Sequence, residues 1–166
     1  MKKLIFLTSL VVLFATASMS QVTKNQLKGV WNIAAFGKES DDSVVTFGQD
    51  TVIGSLVKDK IFTDLSVLAA NATSDQDKMA FAFIGMLKGM FIQFDENNAF
   101  GEGMLEEDNS TPKVKAGTYT LDGANLTTNT KKEQAFNIAM KGEYLILTAS
   151  NSGTVMYMKK IKDSPF

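Results

Sequence analysis

The chain has 166 residues, a formal charge of −1 and no histidine, cysteine or arginine. A histidine-based triad, a thiol nucleophile, a His/Cys zinc site, a disulfide and bidentate guanidinium grip on phosphate are therefore excluded. Acid–base chemistry is left to Asp, Glu, Lys and Tyr, and a mildly acidic chain has no electrostatic pull toward nucleic acid.

Residues 1–20 have the order of a secretory leader: Lys2 and Lys3, the apolar run "LIFLTSLVVLF", then the small residues "ATASMS". Cleavage is expected between Ser20 and Gln21, which places the mature chain, 21–166, in the periplasm or outside the cell. The apolar run is shorter than the ~20 residues of a spanning helix. Without Lys2 and Lys3 the formal charge becomes −3. The mature chain is one domain's worth of sequence, long enough for a core.

Over 25–36, Leu27, Trp31 and Ile33 alternate with Asn32 and Ala34, which predicts a strand. "SVVTF" (43–47) reads as a short strand or as the approach to a helix. From 50 to 72 the period changes: Val57, Ile61, Leu65 and Leu68 sit at helical spacing among Lys58, Asp59, Lys60 and Asp64. Ser74 is an expected N-cap, with Asp75 and Asp77 in the first turn of a helix over 75–89. Met79, Phe83, Met86, Leu87 and Met90 make one broad face of it, and Gly85 and Gly89 weaken its far end. "MAFAFIGMLKGMFIQF" (79–94) carries one charge, Lys88. It is too short and interrupted to cross a bilayer, and it parses as a helix handing over to the strand "MFIQF" (90–94), so the mature chain is expected to carry no membrane span.

Strands separated by turns follow: 99–107, 113–121, "LTTN", 134–140, 144–150 and 154–161. The Asp122-Gly123 pair is a strong hairpin signal. One strand before the helical segment and seven after it make eight, a natural closure number for a small barrel that holds one ligand. The expectation is a mainly β fold: an eight-stranded antiparallel up-and-down barrel with a helical insertion at about 50–89, after the first strand.

"LKGVW" (27–31), with Gly29 and Trp31 on the first strand, resembles the Gly-x-Trp signature of lipocalins. "GTYTLDGANLT" (117–127) and the ending "LILTASNSGTVMYMKK" are similar to segments of bacterial lipocalin-like domains. The resemblance implies a calycin-type barrel with Trp31 packing one end. Lipocalins place an arginine over that tryptophan; here Lys159 or Lys160 must serve, through its aliphatic stem. A second departure is the helical segment where lipocalins carry strands.

Binding rather than chemistry is the expected function: a small hydrophobic or amphipathic molecule held in the barrel, with no cofactor, no metal and no enzymatic activity. The alternative is a structural or protein-interaction module whose barrel is filled by its own side chains. The candidate ligand-binding residues are Phe83 and Met86 on the helix, and Phe100, Met104, Tyr119, Phe136, Met140 and Tyr144 on strands. Met and Phe suit an adaptable apolar wall; Tyr119, Tyr144 and Tyr157 are the polar orienters. The helix face either covers a packed core or lids a cavity. Both faces of the late strands are partly apolar, so alternation leaves the inward face open, and nothing in the chain sets an oligomeric state. The acidic stretch Glu102, Glu106, Glu107, Asp108 reads as a solvated hairpin end. "SLVK" (55–58) matches Ser-x-x-Lys but has no Lys-Thr-Gly or Ser-Asp-Asn partner.

Overall fold

The structure, a computed structural model, describes residues 21–48, 51–105 and 112–166. The predicted leader, 1–20, lies outside the described residues, as do Glu106, Glu107 and Asp108. A short helix α1 (Lys24–Leu27) precedes the long strand β1 (Gly29–Lys38). Then come β2 (Ser43–Thr46), α2 (Thr51–Leu56), β3 (Ile61–Asp64), α3 (Leu65–Ala70) and α4 (Asp75–Met86), which ends in a 3₁₀ turn, Leu87–Gly89. Seven strands complete the chain: β4 (Met90–Phe94), β5 (Ala99–Met104), β6 (Val114–Asp122), β7 (Asn125–Asn129), β8 (Glu133–Lys141), β9 (Tyr144–Ala149) and β10 (Thr154–Lys162).

β4 to β10 form an antiparallel meander, and β1 closes it by pairing with β4 on one edge and β10 on the other. The result is the expected eight-stranded barrel. Asp122 and Gly123 turn the chain between β6 and β7, with Gly123 at φ +62°, where an L side chain is strained. Gly29 is held more tightly. Its φ is +122°, and a Cβ there would strike the Lys162 carbonyl oxygen of β10.

β1 divides one edge between two partners. Gly29 to Asn32 pair with β4, whereas Ala35 to Gly37 pair with β2. A bulge separates Ile33 from Ala35, and the Asn32 amide donates to the Lys88 and Met90 carbonyls at 3.0 and 2.9 Å. The side chain thus satisfies carbonyls that the departing strand leaves behind. β3 adds to β2 in parallel, so β2 and β3 extend the wall on one side.

The periodicity over 50–72 misleads. That stretch is not one helix but α2, β3 and α3. Ile61 N–H donates to the Asp42 carbonyl at 2.7 Å, and the Lys60 ammonium donates to the Glu39 and Asp41 carbonyls. These contacts draw Ile61–Asp64 onto β2, where Phe62 packs edge-on against Tyr157 at 5.9 Å. Tertiary pairing overrides the local period, as it does for short β-rich stretches.

The core has two parts. Inside the barrel lie Trp31, Ile33, Ile92, Phe94, Phe100, Tyr119, Leu126, Phe136, Ile138, Leu145, Leu147 and Met158. Outside it, Tyr144, Val155, Tyr157 and Ala35 are covered by Val44 and by Ile53 of α2, with Leu56 and Phe62 against them. The register settles the direction of the late strands: Leu145 and Leu147 pair with Met158 and Met156 inward, while Tyr144 and Ile146 face outward.

α4 is placed differently from expectation. Ser74 caps it, accepting from the Asp77 amide at 3.0 Å. Yet Met79, Phe83 and Met86 are 68, 64 and 62% exposed, and no residue of α4 is buried. The helix packs on α3 instead of lying across the barrel. Residues 79–87 are apolar without interruption, so no sequence period distinguishes an inner face.

Candidate functional site

The two ends of the barrel differ. At one end α1, fixed by a capping box between Thr23 and Gln26, brings Leu27 under the barrel, where it is fully buried. The Trp31 indole N–H donates to the Leu27 carbonyl at 2.7 Å. The Lys160 ammonium lies 4.9 Å from the Trp31 ring centre and donates to the Lys28 carbonyl at 2.7 Å. Lys160 pairs with Trp31 across β1 and β10, whereas Lys159 pairs with Asn32 on the other face, so alternation selects Lys160. Above this layer Phe94 sits 5.1 Å from Tyr119 and 5.4 Å from Phe100. The Tyr119 hydroxyl donates to the Asp95 carbonyl at 2.8 Å. Burial, then the nearby Asp95 charge, pushes this phenol above its ordinary value. This end is filled by the protein's own side chains.

The opposite end is open. A cavity of about 480 Å³ is lined by Met90, Phe136, Ala149 and Met156 from the inner wall. Glu133, Gln134, Ser150, Asn151, Ser152 and Thr154 make a polar rim. A second hollow of about 390 Å³ shares Met90 and continues along Met104, Glu102, Lys113 and Lys115. There the Glu102 carboxylate lies 3.8 Å from the Lys115 ammonium and accepts from the Thr130 hydroxyl at 3.4 Å. The mouth is therefore an apolar floor with hydrogen-bonding groups and paired charges at its lip.

The predicted residues are distributed unevenly over this geometry. Phe136 lines the mouth cavity and Met104 the adjoining hollow. Phe100 and Tyr119 belong to the filled end, and Met140 packs against the same core from β8. Tyr144 does not face the lumen; it lies with Tyr157 on the outer wall under α2 and β3. Neither can orient a ligand in the barrel, and burial pushes the Tyr157 phenol up. Phe83 is on the exposed side of α4, and Met86 borders an outer groove with Met104. Met90, expected on the broad face of the helix, instead opens β4, in phase with Ile92 and Phe94; Ala149 and Met156 were not singled out by sequence, and once the phase of β9 and β10 is known, alternation places them inward.

No protein-family model matches the chain, and no curated protein matches it. Three solved structures do. A DUF4847 family protein of Bacteroides vulgatus has a TM-score of 0.50 at 13% identity, over 82% of this chain and 94% of its own. A lipocalin-like protein of Bacteroides uniformis is 16% identical over 82% of this chain and 99% of its own, with a TM-score of 0.43. An uncharacterized protein of Bacteroides eggerthii is 10% identical over 81% and 99%, with a TM-score of 0.47. The fold is a closed eight-stranded antiparallel barrel, and identities this low concern the fold alone.

Proposed function

We propose that this lipocalin-like barrel is an exported binding protein for a small hydrophobic or amphipathic molecule, held at the open end, and that it performs no chemistry on it. The observation that carries the reading is the cavity of about 480 Å³ between Met90, Phe136, Ala149 and Met156. Its size lies within the ~300–1,000 Å³ of small-molecule sites, and its apolar floor with a polar lip suits a molecule that has one greasy end. The driving force is transfer of apolar surface from water, at ~25 cal/mol per Å². The filled end leaves the upper half of the barrel as the binding volume. Export rests on the leader-like order of residues 1–20.

Native mass spectrometry of protein purified from its own host tests the reading. A retained lipid-like mass is expected, and it should be lost in Ala149→Phe, which fills the cavity. Wild-type protein that carries nothing and binds no fluorescent fatty-acid probe would favour a filled interaction module.

A further inference from the structure

The first buried residue among those described is Val22. It is 4% exposed and belongs to the same buried cluster as Leu27 and Trp31 at the sealed end of the barrel. Thr23 follows as the N-cap of α1 and closes the capping box with Gln26. The first residues of a domain are loosely held unless something ties them down, and here the tie is Val22. Gln21, one residue earlier, is exposed. The division between what the core needs and what it does not therefore falls between 21 and 22.

The sequence divides the chain beside the same point on different grounds. Ser18 and Ser20 are the small residues of the expected cut, so processing makes Gln21 the first residue. The neighbouring cuts fit worse. A cut after Gln21 puts a charged α-ammonium on Val22, inside the buried cluster, and burying an unpaired charge is costly. A cut before Ser20 needs Met19, a large residue, where small ones are accepted.

A glutamine with a free α-amine carries its own electrophile. The amine attacks the side-chain Cδ and closes a lactam ring. The N–Cδ bond forms, the Cδ–Nε2 bond breaks, and Nε2 leaves as ammonia with a proton from the attacking amine. No oxidant, reductant or second substrate enters. Only the uncharged amine attacks, and an α-amine titrates close enough to neutral pH to supply that form. Gln21 is open to solvent, and its amide nitrogen lies beside the β6–β7 turn, 3.3 Å from where a Cβ on Gly123 would stand. The glycine leaves that side chain its space.

We infer that Gln21 is a modification site: the mature chain begins with pyroglutamate, formed by cyclisation of this glutamine. The inference rests on the export reading, because cleavage after Ser20 is what frees the amine. The lactam carries no terminal charge next to the point where Val22 enters the core. It also lacks the free α-amine by which aminopeptidases hold a substrate. The ring thus guards Val22, and with it the layer of Leu27 and Trp31, against trimming from the end of the chain.

Host cells should be lysed directly into dilute acid, which protonates α-amines, and the intact protein weighed. The expected mass is that of residues 21–166 less one ammonia. An amine-reactive reagent should label lysines and leave position 21 unmodified. Pyroglutamyl peptidase acting on the denatured chain should then expose the Val22 amine. Gln21→Ala keeps the cut and cannot cyclise, so it should show the full mass of its own 21–166 chain and a labelled terminus. A broad aminopeptidase should remove the first residue of Gln21→Ala and leave wild type intact. A wild-type mass of 21–166 with a reactive α-amine, or closure that appears only on storage, overturns the cyclisation and leaves export standing. A cut that makes any other residue the first does the same, and retained residues 1–20 overturn both.

Discussion

Lys160→Met removes the ammonium over Trp31 and keeps most of the aliphatic stem. Two interactions are lost. The cation–ring contact at 4.9 Å contributes ~0.5–1 kcal/mol when partly exposed. The hydrogen bond to the Lys28 carbonyl at 2.7 Å is charge-assisted, a class that contributes about 1.5–3 kcal/mol. The Lys160 side chain is 28% exposed, so water recovers part of both, and the ammonium's own desolvation is relieved on removal. The expected net loss is about 1.5 kcal/mol, or a midpoint lowered by about 3–6 °C for a chain of this size. Urea unfolding should be followed by circular dichroism, because Trp31 is the sole tryptophan and belongs to the pair. The urea slope should stay constant while the midpoint falls. A cycle with Trp31→Phe should isolate a coupling of about 0.5–1 kcal/mol. Lys160→Arg should be at least as stable as wild type, since a planar guanidinium stacks on the indole. An unmoved midpoint in Lys160→Met, or a coupling under about 0.3 kcal/mol, would refute the claim that this lysine replaces the arginine of lipocalins.

Gly29→Ala should cost about 1–3 kcal/mol in urea unfolding, because it forces a side chain into a glycine-only backbone region against the Lys162 carbonyl. Gly85→Ala should instead raise the unfolding free energy by about 0.5–1 kcal/mol in the same assay. Phe83→Asp should leave stability within about 0.5 kcal/mol, because the side chain is 64% exposed; a collapse of the fold would show that α4 covers the barrel after all. The Ser66 hydroxyl and amide, the Gly48 amide and the Lys88 charge hold the Asp64 carboxyl below its ordinary value. Its folded value lies under the unfolded one, so its contribution is present above the ordinary carboxylate range and lost as pH falls through the folded value. Asp64→Asn should therefore be less stable than wild type at about pH 5, with the gap closing toward about pH 2 in urea midpoints.

The strand order was legible because turn chemistry punctuates it. Asp122-Gly123 and Lys141-Gly142 mark the ends of β6 and β8, and Asn151 to Gly153 fall between β9 and β10. Gly29 and Trp31 were legible as a pair, and the structure adds the reason for the glycine: β10 crosses it too closely for a Cβ. Four features were not legible. Tyr144 and Leu145 were both credible lumen residues because α2 buries the outer wall, which erases the polar side that normally marks a strand's phase. The inner side of α4 was hidden because its residues from Met79 to Leu87 are all apolar. β3 was hidden because Ile61 and Leu65 sit at helical spacing by coincidence, and the pairing that decides their fate comes from Asp42 and β2. The mouth residues Ala149 and Met156 depend on knowing which end α1 seals, a long-range fact that no local window contains.

The closing seam between β1 and β10 has a kinetic consequence. It joins Val30 to Lys162 and Lys38 to Thr154, so nearly all of residues 21–166 lies within the loop that this pairing shuts. Pairings of such long sequence separation form late and slowly, since the entropy of closing the loop is spent before the ladder returns it. Until β10 docks, Trp31 lacks Lys160 over its ring and β1 has a bare edge. A chain still missing its last strand therefore has no closed barrel to fall into, and the hollow at the mouth exists only once the final segment has arrived.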